Sequence, residues 1–201
     1  MKYNPNIHHR RSIRLKGYDY SQEGLYFITL CVQNRECLFD EITNKNVGAN
    51  PCGCPNTNQY ANNPPKTIMN NAGKMIEIQW VDLKNRFPNI ELHEFVVMPN
   101  HFHGILEIVG NKQPQGIAKN NMGQPQGIAP TVGDIIAAFK SITTVEYIRG
   151  IKQHNWKPCN RKLWQRNYWE HIIRNEKSYY NISEYIINNP QKWKEDTLYE
   201  K

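Results

Sequence analysis

The chain has 201 residues and a formal net charge of +7, from 25 Lys and Arg residues against 18 Asp and Glu residues. This length suffices for one domain with a substantial core, and the excess of cations favours a polyanionic partner. No apolar stretch is long enough to span a membrane and no signal peptide is evident, so we expect a cytoplasmic protein without a membrane partner.

The five cysteines form no evident pairing framework, which agrees with a reducing compartment. Cys52 and Cys54 could suggest a zinc site, but no second pair follows at zinc-finger spacing. Structural zinc is therefore disfavoured.

A basic arm opens the chain and could bind phosphates. Its cations are Arg10, Arg11, Arg14 and Lys16. The alternative is a solvated terminus. Residues 25–32 follow as an apolar run rich in β-formers on both faces, which predicts a central strand.

Two segments have the composition of loops. Residues 44–66 are dominated by Asn, Pro, Gly and Thr, and residues 110–130 contain the hexapeptide Gln-Pro-Gln-Gly-Ile-Ala twice. Two copies are too few for a solenoid. We predict flexible insertions at about 44–66 and 110–130 within one domain that spans 1–201.

Helical and strand periodicities alternate between these insertions. Apolar residues recur at three-and-four spacing over 67–85, which predicts a helix, and 91–98 alternates as a strand. On that strand Leu92 and Val96 are predicted on one side, with Phe95 and Val97 on the other.

Two histidines flank one phenylalanine in the stretch Met98-Pro99-Asn100-His101-Phe102-His103-Gly104. Pro99 and Asn100 predict a short turn, after which 101–109 returns as the second strand of a β-hairpin. Residues i and i+2 of a strand share a face, so His101 and His103 should point the same way. Two such imidazoles form half of a divalent metal site, although two ordinary strand histidines are an equal reading.

The C-terminal third alternates between helix and a basic, aromatic segment. A capping signal at 131–134 predicts a helix to about Tyr147, and the last helix is predicted over 175–189. Aromatic and basic residues interleave over 157–173, a pattern that suits stacking on unpaired bases. The alternative is that Trp164 and Trp169 belong to the core.

Tyr185 and Asn189 lie four residues apart on the last helix and therefore on one face. Tyr179 and Tyr180 on the same helix are rival nucleophiles, and Tyr180 has Glu184 at i+4 as a carboxylate ligand. A phenol is a weak nucleophile at its free pKa of about 10. Beside a metal-polarised phosphate it can attack phosphorus and form a covalent intermediate.

The motifs together resemble a known family. Residues 98–103 resemble the HUH motif (His, bulky hydrophobic, His) of single-tyrosine transposases. Residues 163–175 and 185–190, with the signatures Trp-Gln and Tyr-x3-Asn-Pro, resemble the REP-associated tyrosine transposase (RAYT) branch. The resemblance covers most of the chain outside the two insertions.

This resemblance implies an α+β, ferredoxin-like antiparallel sheet with helices packed on it and the HUH motif on a central strand. It implies that His101, His103 and Asn189 bind Mg²⁺ or Mn²⁺. Tyr185 would attack a single-stranded DNA phosphate, leaving a 5′-phosphotyrosine and a free 3′-OH.

The implied partner is single-stranded or hairpin DNA, and a homodimer is an open possibility. The predicted DNA contacts are Arg10, Arg11, Arg14, Lys16, Trp164, Gln165 and Arg166.

Two other functions stay open. A non-catalytic regulator with the same fold would bind single-stranded or hairpin DNA without forming a covalent product. A plasmid-type replication initiator or relaxase shares HUH chemistry, but the Trp-Gln and Asn-Pro signatures argue against it.

Overall fold

The computed structural model describes residues 17–41, 68–110 and 130–198. Nearly all of the two predicted insertions lies outside these ranges, as do Arg10, Arg11, Arg14 and Lys16 of the basic arm. No helix within the described ranges combines the length and the apolar character needed to cross a bilayer.

Strands and helices follow one another in an order that interleaves sheet and helix. The strands are β1 (Gly24–Cys31), β2 (Asp40–Glu41), β3 (Ile68–Met69), β4 (Ile90–Met98), β5 (His101–Ile108) and β6 (Trp169–Ile173). The helices are α1 (Asn71–Val81), α2 (Leu83–Arg86), α3 (Val132–His154) and α4 (Glu176–Asn188), with 3₁₀ helices at Gln33–Arg35 and Asn189–Glu195.

The main sheet has four strands in the order β4-β5-β1-β6, and each neighbouring pair is antiparallel. Strands β2 and β3 form a separate two-stranded sheet. The sequence order β1-α1-β4-β5-α3-β6 with this spatial order is the split βαβ arrangement of ferredoxin-like folds. The predicted fold class, with the histidine pair on a central strand, is confirmed.

The central strand β1 is buried on both faces, as its continuous apolar run predicts. Tyr26, Ile28 and Leu30 belong to the larger core, which includes residues of α1 and α3. Leu25 and Phe27 face the opposite side and pack with Ile105, Ile173 and Ile186 beside α4. The sheet is thus covered by helices on both faces.

Helix α1 begins later than its apolar periodicity predicts. Ile68 and Met69 pair with β2 instead, and the Asn70 side chain accepts a hydrogen bond from Gly73 N at 2.9 Å as the N-cap. The predicted buried stripe is present, since Ile76, Trp80 and other members of it are fully buried.

Strand β4 contains an irregularity that the alternation of its side chains does not predict. Its register with β5 shifts between Leu92 and Phe95. Leu92 therefore packs in the larger core with Phe95, while Val96 packs on the opposite face. The prediction that Leu92 shares a side with Val96 is wrong, because an extra residue in a strand reverses the alternation beyond it.

Helix α3 has the predicted capping box, in which Asp134 N donates to Thr131 Oγ1 and Thr131 N donates to Asp134 Oδ2. It continues past Tyr147 to His154 and ends at Asn155, which adopts a left-handed conformation. Beyond Tyr147 its exposed side carries Ile148 together with Arg149, Lys152, Gln153 and His154, so hydrophobic periodicity alone does not mark the end of the helix.

The glycine after the histidine pair is required by packing. A Cβ at Gly104 would lie 2.8 Å from Cζ2 of Trp80 and 3.0 Å from the ring of Phe102, and both rings are fully buried. We expect Gly104→Ala to lower the free energy of unfolding by about 1–3 kcal/mol through overpacking.

Urea denaturation of the wild type and of Gly104→Ala measures the loss in the free energy of unfolding. The double variant Gly104→Ala/Trp80→Phe is the control, since a smaller ring should restore part of the stability if the clash is the cause. An unchanged unfolding midpoint for Gly104→Ala would contradict the steric explanation.

Candidate active site

The histidine pair lies at the start of β5, directly after the hairpin turn and beside the central strand β1. His101 and His103 face the α4 side of the sheet, whereas Phe102 between them enters the larger core. The two imidazole centroids are 4.5 Å apart, and the residues are 0% and 2% exposed. The predicted shared face is therefore present, and it is an interior face.

A hydrogen bond fixes the tautomer of His101. Asn100 Nδ2 donates to Leu198 O at 2.9 Å, which turns Asn100 Oδ1 toward His101 Nδ1 at 2.8 Å. An amide oxygen only accepts, so His101 Nδ1 carries the proton and donates. His101 Nε2 is left with a free lone pair, and it is a buried atom without a hydrogen-bond partner in the described part of the chain.

His103 is held by side chains of β1 and α4. Its Nδ1 lies 2.8 Å from Thr29 Oγ1, and its Nε2 lies 3.2 Å from the hydroxyl of Tyr185. Partners on the outer ring nitrogen orient metal-binding histidines in known sites. The arrangement thus turns the Nε2 atoms of both histidines toward the space beside Tyr185.

Both histidines are held in the neutral form. Burial lowers the pKa of His101 to about 3, with a further contribution from the Arg35 charge. Burial, followed by the neighbouring His101, holds the pKa of His103 well below its usual range. The low pKa keeps both rings uncharged near neutral pH, and the uncharged imidazole is the form that binds metal.

Helix α4 brings Tyr185 to the histidine pair. Ile182 and Ile186 pack against the α4 side of the sheet and set the rotation of the helix. The Tyr185 side chain then lies over His103, with ring centroids 5.2 Å apart, and is 44% exposed. A hydroxyl beside the imidazoles and open to solvent can be reached by a large substrate.

The rival tyrosines lie elsewhere. Tyr179 donates its hydroxyl hydrogen bond to Glu94 Oε2 at 3.0 Å, on β4 rather than at the histidine pair. Tyr180 is 62% exposed, and its ring contacts that of Tyr179. Of the three tyrosines on this helix, Tyr185 is the one within hydrogen-bonding distance of His103 in the described structure.

Asn189 follows at the end of α4 and is 2% exposed. Its Nδ2 donates to Asp196 Oδ2 at 3.0 Å, which leaves Oδ1 as a buried acceptor without a partner among the described residues. This is the amide oxygen expected as a metal ligand.

Asp196 is the site residue that the sequence did not predict. The 3₁₀ helix Asn189–Glu195 folds back and delivers the Asp196 carboxylate to the Tyr185 hydroxyl, which donates to Oδ2 at 3.3 Å. Ligand atoms of His101, His103 and Asp196 lie within 4.8 Å of one another. Trp193 on the same 3₁₀ helix covers His101, with ring centroids 5.5 Å apart.

The side-chain chemistry of this cluster fits a divalent cation. Two buried atoms, His101 Nε2 and Asn189 Oδ1, carry lone pairs without a donor, and such atoms are rare in folded proteins unless a ligand satisfies them. Imidazole nitrogen together with amide and carboxylate oxygen is a donor set suited to first-row divalent ions. The cluster therefore defines a candidate metal site beside a tyrosine.

The Tyr185 hydroxyl is not activated by the protein alone. Burial, with the Asp196 carboxylate as the next contribution, raises its pKa to about 12. The phenol is therefore protonated near neutral pH, and a nearby cation would be needed to lower the cost of forming a phenolate.

The predicted DNA contacts in the Trp-Gln segment occupy different environments. Trp164 is 4% exposed and donates from Nε1 to Thr143 Oγ1 at 2.8 Å, so it lies in the core and offers no free ring face for a base. Gln165 N donates to Cys31 O at 2.9 Å, and the Arg166 side chain is exposed. Trp169, for which a core position was the alternative, is 56% exposed.

The fold and the site define an α+β protein in which a buried histidine pair meets a tyrosine from a covering helix. No family model matches the chain. It is 40% identical to an uncharacterized protein of Haemophilus influenzae, over 98% of this chain and 97% of that protein. It is 27% identical to a candidate REP-associated tyrosine transposase of the same organism, over 87% of this chain and 74% of that protein.

Two solved structures are also similar. A REP-associated tyrosine transposase bound to a REP hairpin matches with 20% identity and a TM-score of 0.47, over 91% of this chain and 74% of that chain. A candidate transposase from Deinococcus radiodurans matches with 16% identity and a TM-score of 0.42, over 88% and 97%.

The chain therefore belongs to the same family as the uncharacterized H. influenzae protein to which it is 40% identical. Its sequence relationship to the second H. influenzae protein confirms the resemblance to the REP-associated tyrosine transposases. This relationship supports a transposase-like function.

Proposed function

We propose that the chain is a metal-dependent single-stranded DNA transposase and endonuclease, which cleaves and rejoins hairpin-flanked DNA through a 5′-phosphotyrosine. The observation that carries this proposal is the contact of 3.2 Å between the Tyr185 hydroxyl and His103 Nε2. It joins a candidate nucleophile to the histidine pair on β5, beside the unpaired acceptor atoms His101 Nε2 and Asn189 Oδ1 of the described structure.

His101, His103 and Asn189 would hold Mg²⁺ or Mn²⁺. When bound, the ion supplies positive charge next to the scissile phosphate and the tyrosine oxygen. The Tyr185 oxygen attacks phosphorus and gives up its proton to Asp196 Oδ2 or to water, the P–O3′ bond breaks, and the O3′ atom takes a proton from water and leaves as a 3′-OH. A 3′-OH that attacks the phosphotyrosine reverses these steps and rejoins the strands.

Asp196 orients both the nucleophile Tyr185 and the proposed metal ligand Asn189. Its carboxylate accepts hydrogen bonds from the Tyr185 hydroxyl and from Asn189 Nδ2, so one side chain fixes the nucleophile and turns the amide oxygen inward. Leu198 N in turn donates to Asp196 Oδ1 at 2.7 Å and holds the carboxylate. These contacts support Asp196 as a positioning residue, or as a further ligand of the metal.

Hairpin DNA is the proposed partner. The family resemblance of the motifs implies it, and the relative with 27% identity carries REP association in its name. The net charge of +7 suits a polyanion.

A covalent-adduct assay tests the proposed function. Labelled single-stranded hairpin oligonucleotides from the flanks of the chain's own gene are incubated with the protein and Mn²⁺ or Mg²⁺ and then run on a denaturing gel. We expect a shifted protein–DNA band that disappears with EDTA, because removal of the ion leaves Tyr185 with its pKa of about 12. Peptide mapping of the adduct should identify Tyr185.

Two outcomes would redirect the assignment. An adduct on Tyr179 or Tyr180 would move the nucleophile. Binding on a native gel without any adduct would favour the non-catalytic regulator.

A further inference from the structure

We infer that a groove between α3 and residues 161–166 binds the phosphate backbone of the DNA that adjoins the cleaved strand. This inference rests on the proposed function, because it assigns a second contact to the same substrate. This basic groove is lined by Lys140, Thr144, Arg161, Lys162, Gln165 and Arg166, together with Leu163 and Trp164.

The charge of the basic groove is of one sign. Four of its lining residues are cations, and no carboxylate occurs among the described residues that line it. Arg161, Lys162 and Arg166 are exposed, and no ion pair within the described residues neutralises any of them. Uncompensated cations in a concave surface raise the local concentration of a polyanion.

The basic groove is a built feature of the fold. Lys140 Nζ donates to Gln165 O at 2.6 Å and to Arg166 O at 3.0 Å, which fastens the segment to α3. An ammonium group has three donors, so this clamp leaves one for a ligand. The charge of Lys140 is thereby fixed at the base of the groove.

Trp164 holds the same segment from the other side. Its indole is buried and bonded to Thr143 of α3, and it packs against Phe39 with ring centroids 5.3 Å apart. Arg161 has a φ of 63°, in the left-handed region, where the chain turns into the segment. The role of Trp164 is thus to anchor the backbone that presents Lys162 and Arg166.

Backbone contacts connect the basic groove to the histidine pair. Gln165 N donates to Cys31 O, and Cys31 is the residue opposite His101 in the β1–β5 register. Val32 forms a β-bridge with Trp164, and its N–H donates to Asn100 O at 2.8 Å. The groove therefore begins one strand away from His101, at the same end of the sheet.

The chemistry of the lining selects phosphate over base. Lys, Arg and Thr side chains are the usual donors to phosphate oxygens, and such contacts position a nucleic acid without reading its sequence. The aromatic residue of the groove is buried, so a stacking platform is missing from its described lining. We expect the basic groove to contribute affinity that is independent of sequence and sensitive to salt.

A double variant with a charge-matched control tests this inference. Lys162→Ala/Arg166→Ala removes two exposed charges of the groove, and Lys74→Ala/Lys152→Ala removes two exposed charges from α1 and from the far end of α3. Binding of a hairpin oligonucleotide with its flanking strand is measured by fluorescence anisotropy over a range of salt concentrations. Circular dichroism and thermal melting check that both variants are folded.

We expect the groove variant to weaken binding roughly tenfold at low salt and to lower the slope of log K against log salt by about two, since each lost phosphate contact removes close to one unit. The control should stay near the wild-type slope. Equal affinity and equal slope in the two variants would overturn the inference, as would failure of the wild-type protein to bind the hairpin.

A second readout separates this inference from the proposed function. Adduct formation by the wild type on a short single-stranded oligonucleotide that spans only the cleaved site measures the cleavage chemistry without the groove contact. If the adduct forms but Lys162→Ala/Arg166→Ala binds the hairpin like the control variant, only the inference about the basic groove is refuted. A groove effect on binding without any adduct in the wild type supports the basic groove and refutes the cleavage chemistry.

Discussion

The Tyr185→Phe variant should form no covalent adduct with DNA, a loss of at least about 10³-fold, while its affinity for the same DNA stays within about twofold of wild type. The substitution removes the attacking oxygen and keeps the ring, which contacts Phe27 and His103 edge-on with centroids 6.2 and 5.2 Å away. Affinity should persist because Lys and Arg contacts with phosphates supply most of it.

Tyr180→Phe is the matched control for this experiment. It makes the same chemical change on the same helix, at a side chain that is 62% exposed and outside the histidine cluster. Adduct yield on a denaturing gel and anisotropy on the same oligonucleotide give the two quantities. An adduct that survives Tyr185→Phe and disappears in Tyr179→Phe or Tyr180→Phe would show that another tyrosine attacks the DNA.

The residues at the centre of the site were predictable because local periodicity places them. A strand has a period of two, so His101 and His103 share a face wherever the strand lies. A helix returns after four residues, so Tyr185 and Asn189 share a face in the same way. The continuous apolar run of β1 likewise predicts a strand covered on both sides, and the structure has one.

The residues that complete the site were not predictable, because they meet through the fold. Thr29 reaches His103 across 74 positions of sequence, and Asn100 is oriented by the Leu198 carbonyl from 98 positions away. Asp196 follows an irregular 3₁₀ helix that has no apolar periodicity to fix its direction. Contacts of this kind depend on tertiary packing, which a single sequence does not display.

Trp164 shows a different limit of sequence-based reasoning. Interleaved aromatic and basic residues are compatible both with a stacking surface and with a core residue between exposed cations. The deciding contact is the hydrogen bond from Trp164 to Thr143 on α3, which forms only when the segment packs against that helix. The composition of the segment thus left the role of each residue open.

The second large effect concerns the histidine pair. We expect His101→Ala and His103→Ala each to abolish adduct formation and to weaken Mn²⁺ binding at least about 100-fold, because even outer partners of metal ligands are worth roughly 10- to 100-fold. DNA affinity should change little. Mn²⁺ binding is followed by the electron paramagnetic resonance signal of the free ion, which reports on the site independently of catalysis.

His154→Ala is the control, since His154 is exposed at the end of α3. Urea denaturation accompanies each variant, because removal of a buried ring also leaves a cavity that lowers stability. Unchanged Mn²⁺ affinity in folded His101→Ala and His103→Ala proteins would contradict a metal site at the pair. Loss of DNA affinity together with activity would instead give the histidines a structural or DNA-binding role.

Asn189→Ala and Asp196→Ala then identify the oxygen ligand. Asn189 Oδ1 is already a buried acceptor without a partner among the described residues, so its loss should weaken Mn²⁺ binding directly. Asp196 already accepts hydrogen bonds from Tyr185, Asn189 and Leu198 N, so Asp196→Ala should reduce the rate of adduct formation more than Mn²⁺ affinity. If Asp196→Ala instead weakens Mn²⁺ binding more than Asn189→Ala does, Asp196 is the oxygen ligand. Its carboxylate would then give up those hydrogen bonds and bind the ion in place of the Asn189 amide.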